Sequence, residues 1–112
     1  MRTTNHLFLR GYVGQAPKAF GKTCKVSVAT NRSWIDKKGE RREETDWVTV
    51  TILNERTARF VAENVKKGDP VYAECRVTEG SYKKGDETIY TTDIVANIFD
   101  TLIPRKDDDA ID

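Results

Sequence analysis

Aromatic rings close to basic residues are the feature of this 112-residue sequence that most directly suggests chemistry. Trp34 and Trp47 flank a segment dense in charge, and Tyr82 immediately precedes two lysines. Bases stack on aromatic rings and phosphates attract cations, so this combination is typical of a surface that holds an unpaired nucleic-acid strand. The basic residues predicted to contact phosphate are Lys22, Lys25, Arg32, Lys37, Lys38, Arg41, Arg42, Lys83 and Lys84.

The direction of each tryptophan is predicted from the alternation of its strand. Trp47 begins a run in which valine and isoleucine side chains must face the core, so it is predicted to point outward with the threonines. An outward tryptophan favours base stacking, and a subunit interface is the alternative. Trp34 has the parity of Val26 and Val28, but a bulge would reverse its direction.

The charged segment between the two tryptophans has two interpretations. Its four basic residues share the segment with Asp36, Glu40, Glu43 and Glu44. A solvated hairpin loop explains this composition well. The nucleic-acid interpretation requires the cations to converge on one face, which the sequence does not determine. The pair of lysines after Tyr82 is the better signal, because ring and cations occur together there.

Five strand-like runs are separated by glycine and charged residues. Two charged stretches, 36–44 and 80–87, are predicted to be hairpin loops. Gly11 interrupts the first run and predicts a bulge or bend, by which one strand can serve two sides of a small barrel. The predicted strands cover residues 5–14, 23–30, 46–53, 70–78 and 88–98.

One helix is predicted over residues 54–67, between the third and fourth strands. Asn54 is its expected N-cap, and Gly68 is expected just beyond its end. Phe60 lies nearly opposite the apolar stripe, and its role is left open. The stripe predicted to be buried consists of Ala58, Val61, Ala62 and Val65. This order of elements predicts an all-β OB-fold, a five-stranded Greek-key barrel with one helix.

Charge is distributed unevenly along the chain. The formal net charge is +1, but four acids lie within the last six residues, which leaves 19 basic against 14 acidic residues in 1–106. A basic body with an acidic tail suits a polyanionic partner, although so small a charge is also ordinary for a soluble domain. We expect one domain over residues 1–100 and a short flexible tail over residues 101–112.

Several function classes find no support in the sequence. Cys24 and Cys75 form neither a CxxC pair nor a disulfide framework, and they are predicted to be buried thiols in a reducing cytoplasm. His6 is the only histidine, residues 107–109 lack the spacing of a calcium loop, and no metal or cofactor is expected. No apolar run is long enough to span a membrane. No catalytic motif is present, so an enzyme is not expected; a metal-dependent nuclease is the enzymatic alternative.

Four stretches of the sequence, taken in order, resemble the bacterial and mitochondrial-type single-stranded DNA-binding protein (SSB) family. They are LRGYVGQAPK, ATNRSWIDKKGERREETDWVTV, KKGDPVYAE and YTTDIV, and the resemblance runs in the family's order from about residue 5 to residue 98, most of the chain. The resemblance implies an OB-fold that self-associates, usually as a homotetramer, with a dimer as the alternative. It also implies binding of single-stranded DNA with little sequence preference, in replication, recombination and repair, in the bacterial cytoplasm at the nucleoid.

The resemblance also implies roles for individual side chains. Trp34 and Trp47 match two stacking tryptophans of the family. Tyr82 lies where the family often has a third tryptophan, and Leu53 lies at or next to a position often held by phenylalanine. The sequence keeps a ring at the first of these two positions and lacks one at the second. Each base–ring stack contributes about 1–3 kcal/mol, so binding is expected to survive this difference.

The C-terminal ending differs from that of longer members of the family. Those members continue through a flexible linker to an acidic tip that closes with Pro-Phe and recruits replication and repair proteins. The ending DDDAID is acidic but lacks that close, so recruitment through the tail is not expected. The difference leaves one alternative function open, an OB-fold adaptor of replication restart that acts mainly through protein partners.

Overall fold

Six β-strands and one helix make up most of the chain, which a computed structural model describes over residues 1–102. The strands are β1 (Leu7–Val13), β2 (Lys18–Phe20), β3 (Thr23–Ile35), β4 (Arg41–Ile52), β5 (Pro70–Lys84) and β6 (Glu87–Thr101). The helix, α1 (Glu55–Asn64), connects β4 to β5. The three-residue strand β2 was not predicted, so the helix follows the fourth strand rather than the third.

Small and β-branched side chains from alternate positions of the strands form the core. Val26 and Val28 of β3 and Val50 of β4 are almost completely buried, as the period-two pattern predicts. Cys24 and Cys75 are buried free thiols in the same cluster, which confirms the prediction for both. Burial raises the pKa of both thiols, because the thiolate loses solvation in an apolar environment.

The strand β1 closes the sheet into a barrel. It pairs with β5 from Leu7 to Tyr12 and with β3 at Tyr12 and Val13, so one strand serves two sides as predicted. Gly11 permits this crossing, because a Cβ there would lie 2.3 Å from the carbonyl oxygen of Ala29. The sheet order is β1-β5-β6-β4-β3-β2, with the additional β1–β3 pairing. Five strands therefore form a closed barrel with β2 at its margin, an architecture consistent with the OB-fold.

The helix is shorter than the sequence predicts. Asn54 is the N-cap as expected, since its side-chain oxygen accepts a hydrogen bond of 3.0 Å from the backbone N–H of Thr57. The helix ends at Asn64, however, because the Asp69 carboxylate accepts a 2.8 Å bond from the backbone N–H of Lys66 and forms a turn there. Of the predicted stripe, Ala58, Val61 and Val65 are buried, whereas Ala62 is exposed.

Both predicted hairpin loops contain the turn of a hairpin, but strand pairing extends into them: only residues 36–40 of 36–44 and residues 85–86 of 80–87 lie outside the strands. The β3–β4 pairing continues to Ile35 opposite Arg41, and the β5–β6 pairing continues to Lys84 opposite Glu87. Charged side chains interrupt the apolar alternation but leave backbone hydrogen bonding intact. Two long ribbons therefore extend beyond the barrel. We call them the β3–β4 ribbon (residues 30–46) and the β5–β6 ribbon (residues 78–93).

The last strand passes the boundary expected at residue 100. Thr101 of β6 pairs with Val71 of β5, and the backbone N–H of Leu102 donates a 2.9 Å hydrogen bond to the carbonyl oxygen of Pro70. The first two residues assigned to the tail are thus part of the paired structure or adjoin it. The remainder of the predicted tail, residues 103–112, lies outside the described residues.

Candidate nucleic-acid interface

Trp47 lies on the outer face of the barrel, as its parity predicts. It is on β4 opposite Ala29 of β3, and its side chain is 61% exposed. The neighbouring residues of alternate parity, Val48 and Val50, face the core side. An indole exposed to this extent leaves a large apolar area available for a base.

Gly14 holds the indole of Trp47 in place. A Cβ at position 14 would lie 2.2 Å from Cζ3 and 2.7 Å from Cε3 of the ring, so only glycine allows the ring to lie this close. The backbone N–H of Gly14 donates a 2.8 Å hydrogen bond to the carbonyl of Ser27, which fixes the backbone under the ring. The ring is therefore supported from beneath and accessible from solvent.

Trp34 lies on the opposite face of the β3–β4 ladder from Trp47. The register runs without a shift from Cys24 opposite Ile52 to Ile35 opposite Arg41, so no bulge reverses the parity of Trp34. It keeps the parity of the core residues, but it lies beyond the end of the barrel and is 39% exposed. The Arg32 guanidinium carbon lies 5.0 Å from the ring centroid, a cation–π distance.

The other two predicted stacking residues are also exposed. Tyr82 is 54% exposed and lies on the β5–β6 ribbon opposite Ile89. Alternation along β5 places Lys84 on the same face as Tyr82 and Lys83 on the other face. Leu53 is 51% exposed and lies between the end of β4 and the helix cap. Of the two lysines that follow Tyr82 in sequence, only Lys84 therefore shares the face of Tyr82.

Both ribbons extend from the same end of the barrel. The strands β4 and β6 run parallel, with Thr51 opposite Val95. Each hairpin turn directly precedes one of these two strands, so both turns lie toward the same end. Trp34 on one ribbon and Tyr82 on the other thus flank the end of the barrel nearest to Trp47.

The three predicted arginines are all held by acids. Arg32 donates from Nε to Asp46 and from Nη2 to Glu44, at 2.8 Å in each case. Arg41 lies 3.0 Å from a carboxylate oxygen of Glu43. The remaining one, Arg42, lies 3.0 Å from Asp36 and 3.4 Å from Glu40. The charge of each of these cations is therefore locally neutralised by a carboxylate.

Asp36 organises the turn at the tip of the β3–β4 ribbon. One carboxylate oxygen accepts 2.9 Å hydrogen bonds from the backbone N–H groups of Lys38 and Glu40, and the other accepts one of 3.0 Å from Arg42. The bond from the Glu40 N–H is the largest cause of a lowered pKa for this carboxyl, with Arg42 and Lys38 contributing after it. The charged form of Asp36 is thus part of the turn.

The six predicted lysines differ from the arginines, because none forms an ion pair with another residue in 1–102. Lys37 and Lys38 occupy the tip of one ribbon, and Lys83 and Lys84 lie close to the tip of the other. These lysines, rather than the arginines, are available to phosphate. The other two, Lys22 and Lys25, lie near β2 on the barrel.

The described part of the chain offers no metal centre and no membrane span. No group of three or more His, Cys, Asp or Glu side chains in residues 1–102 is placed to hold a metal ion. The single helix of these residues is too short and too polar to cross a bilayer.

Comparison with known proteins identifies the family. The sequence profile of the Single-strand binding protein family matches residues 4–102. The chain belongs to this family. It is 33% identical over 109 residues to a single-stranded DNA-binding protein of Neisseria meningitidis serogroup A, and the match covers 92% of this chain. A serogroup B protein of the same name matches to the same extent, and the chain spans 62% of the length of each relative.

Solved structures of SSB proteins share the fold. A Plasmodium falciparum SSB in complex with ssDNA superposes with a TM-score of 0.73 at 24% identity, covering 91% of this chain and 96% of that one. The wild-type single-stranded DNA-binding protein of Thermus aquaticus gives a TM-score of 0.74 at 22% identity, covering 95% and 53%. These two likenesses establish the barrel architecture for the present SSB-family chain.

Two residues on the outer face of this SSB-family barrel escaped prediction. Phe20 is 55% exposed on β2, and Lys18 lies on the same strand. The sequence predicts no element over residues 18–22, because a strand of three residues carries no visible alternation. A signal was nevertheless present, since Phe20 lies between two lysines in sequence, the same association of ring and cation that drew attention to Tyr82.

Proposed function

We propose that this chain binds single-stranded DNA without catalysis and with little sequence preference. The observation that carries the proposal is the exposed indole of Trp47, supported by Gly14. The lysines predicted to contact phosphate add to it, since none of them forms an ion pair within residues 1–102. Membership of the SSB family and the ssDNA complex of the Plasmodium protein support it. Bases stack on the rings, and the lysines attract the backbone.

The proposed roles of the site residues follow their environment. Trp47, Trp34 and Tyr82 stack bases. Leu53 offers an apolar contact beyond the other end of β4. The lysines of both ribbons contact phosphates directly. The arginines contact phosphate only by exchanging their carboxylate partners. Binding of this kind would keep DNA strands unpaired and protected during replication, recombination and repair.

We also propose that the chain self-associates, with a homotetramer as the expected form and a dimer as the alternative. An outward-facing row on three adjacent strands supports this. Phe8 of β1 lies opposite Glu74 of β5, which lies opposite Ile98 of β6. Phe8 is 61% and Ile98 44% exposed, and such apolar area is typical of an interface. Light scattering measures the assembly directly, and a monomeric mass at micromolar concentration would contradict this proposal.

Titration with oligo(dT) tests DNA binding, because both tryptophans are exposed and their emission responds to stacking. Strong quenching at low salt, which diminishes as salt rises, is expected. Absence of any change at low salt would favour the adaptor function instead. Labelled single-stranded DNA incubated with magnesium tests the nuclease alternative, and it should remain intact.

The variant Trp47→Ala should weaken binding of a labelled oligo(dT) by about 1–3 kcal/mol, or roughly 5- to 150-fold in Kd. Fluorescence anisotropy of the label measures this without relying on the deleted tryptophan. Phe60→Ala is the matched control, because Phe60 is an aromatic side chain of similar exposure, 45%, on the helix. Equal affinity of Trp47→Ala and the control would exclude Trp47 from the site.

A further inference from the structure

A cavity of about 250 Å³ lies on the outer barrel face, next to β2. The side chains that matter in its lining are Lys18, Phe20, Lys25, Ser27 and Thr49. None of the residues that line it is acidic. Alternation places Ser27 and Thr49 on the face that carries Trp47, so the cavity continues the surface already described.

Two lysines oppose each other across this cavity. Lys18 on β2 is the direct cross-strand partner of Lys25 on β3. Like charges placed directly opposite each other destabilise a sheet. Neither lysine forms an ion pair within residues 1–102, so no described carboxylate relieves the repulsion. An anion between the two ammonium groups would relieve it.

An aromatic ring completes the cavity. Phe20 is 55% exposed, and the Nζ of Lys25 lies 5.7 Å from its ring centroid. Phe20 shares its face of β2 with Lys18, because the two residues are two apart on the strand. Ring and paired cations thus occur together, which is the combination that binds a nucleotide through both its base and its phosphate.

A different cavity, of about 500 Å³, lies on the β3–β4 ribbon but has no such character. Its lining includes Arg32, Arg41, Glu43 and Glu44, whose charges already pair with acids or bases of the same ribbon. The lysine-lined cavity has charge of one sign only, and it has an exposed ring. The charge complementarity of that cavity favours a polyanion.

We propose that Phe20, Lys18 and Lys25 form a second nucleotide subsite, in which a base of single-stranded DNA stacks on Phe20 and its phosphate lies between the two lysines. The proposal rests on the proposed function. The partner of Phe20 on β3 is Thr23, and the partner of Trp47 is Ala29. Six residues of strand span about 20 Å. A stacked strand advances about 3.4 Å per nucleotide, so about six nucleotides connect the two rings.

The test compares Phe20→Ala and Phe20→Tyr with the wild-type chain, using labelled oligo(dT) of increasing length. Phe20→Ala should weaken binding about tenfold, but only for oligonucleotides longer than about six nucleotides. Phe20→Tyr keeps the ring and should bind as the wild type does. Phe60→Ala is the control for loss of an exposed ring elsewhere. Wild-type affinity of Phe20→Ala for long oligonucleotides would overturn the proposal.

The double variant Lys18→Ala/Lys25→Ala tests the phosphate contact independently of the ring. The slope of log affinity against log salt should decrease by about 0.7, the value for one phosphate on a single strand. Lys66→Ala/Lys67→Ala, which removes two adjacent lysines after the helix, is the matched control. An equal loss of slope in both double variants would mean that only net charge matters, and would overturn the subsite.

The subsite and the proposed function fail in different ways. If the wild-type chain binds no oligo(dT), the proposed function itself is wrong. If the wild type binds oligo(dT) and Trp47→Ala weakens that binding, while the Phe20 and lysine variants keep the wild-type affinity and salt slope, only the subsite is wrong. A third outcome would assign the cavity to a protein partner: an acidic peptide binds the wild type, Phe20→Ala abolishes that binding, and Phe20→Ala leaves the affinity for oligo(dT) unchanged. That outcome would also overturn the subsite.

Discussion

Substitution of Gly14 by alanine tests whether the position of the Trp47 ring, and not only its presence, matters for binding. The glycine does not have a positive φ, so alanine fits the backbone conformation. The added Cβ would lie 2.2 Å from ring atom Cζ3. Carbon atoms pack at about 3.5–4.0 Å, so the ring must move by at least about 1.3 Å. The single methyl group therefore displaces the indole without removing it.

The expected magnitudes follow from this displacement. Overpacking costs about 1–3 kcal/mol, and the lower end applies here because the exposed ring can tilt into solvent. A tilted ring loses part of a stacking contribution of about 1–3 kcal/mol, so oligo(dT) affinity should decrease about fivefold. Urea denaturation measures the stability, and the emission maximum of Trp47 reports the change in its environment.

A double-mutant cycle with Trp47→Ala provides the control. The three atoms nearest to the added Cβ all belong to the Trp47 ring. Gly14→Ala should therefore cost little stability and no affinity once the ring has been removed. Neighbouring residues that act through one contact are expected to be non-additive in this way. If the effects of Gly14→Ala and Trp47→Ala simply add, or if Gly14→Ala leaves emission and affinity unchanged, the positioning argument is refuted.

Two further predictions concern the β3–β4 ribbon. The double variant Glu44→Gln/Asp46→Asn removes both carboxylate partners of Arg32 and should release its guanidinium. The slope of log affinity for oligo(dT) against log salt should then steepen by up to about 0.7. An unchanged slope would exclude Arg32 from phosphate contact. The backbone N–H of Glu40, and after it Arg42 and Lys38, lower the folded-state pKa of Asp36, so its contribution to stability is present above the unfolded-state pKa and is lost as the pH falls through the folded-state value. Asp36→Asn should therefore be less stable than the wild type near neutral pH and should lose less stability on acidification. Urea denaturation across the acid range measures both effects. If the free energy of unfolding of variant and wild type depends on pH in the same way, the role of Asp36 in the turn is contradicted.

The barrel could be predicted because its strands carry strict alternation. Val26, Val28 and Val50 fix both the core face and the outward direction of Trp47. The Asn54 cap likewise has a local chemical cause that the sequence displays. The end of the helix could not be predicted in this way, since Lys66 and Gly68 also fit a longer helix. The Asp69 carboxylate favours a turn over a longer helix, because it accepts a hydrogen bond from the backbone N–H of Lys66.

The hairpins themselves are predictable, whereas the length of the ribbons and the cavity beside Phe20 are not, for a different reason. Pairing of the charged stretches depends on backbone hydrogen bonds, which leave no apolar pattern at residues such as Arg41 and Glu43. The direction of Trp34 required knowledge that no bulge intervenes. The cavity beside Phe20 depends on the register that places Lys18 against Lys25, a long-range fact that neither strand carries alone.

The division of cations between arginines and lysines determines how this surface responds to salt. Exposed ion pairs contribute only about 0.2–1 kcal/mol each, so a phosphate can displace a carboxylate from Arg32 or Arg42 at small cost. The displaced carboxylate remains nearby, however, and repels the same phosphate. A lysine such as Lys25 has no acid to displace among the described residues and gains the whole interaction. Counterion release should therefore be governed mainly by the lysines, and removing a lysine should reduce the salt slope more than removing a paired arginine.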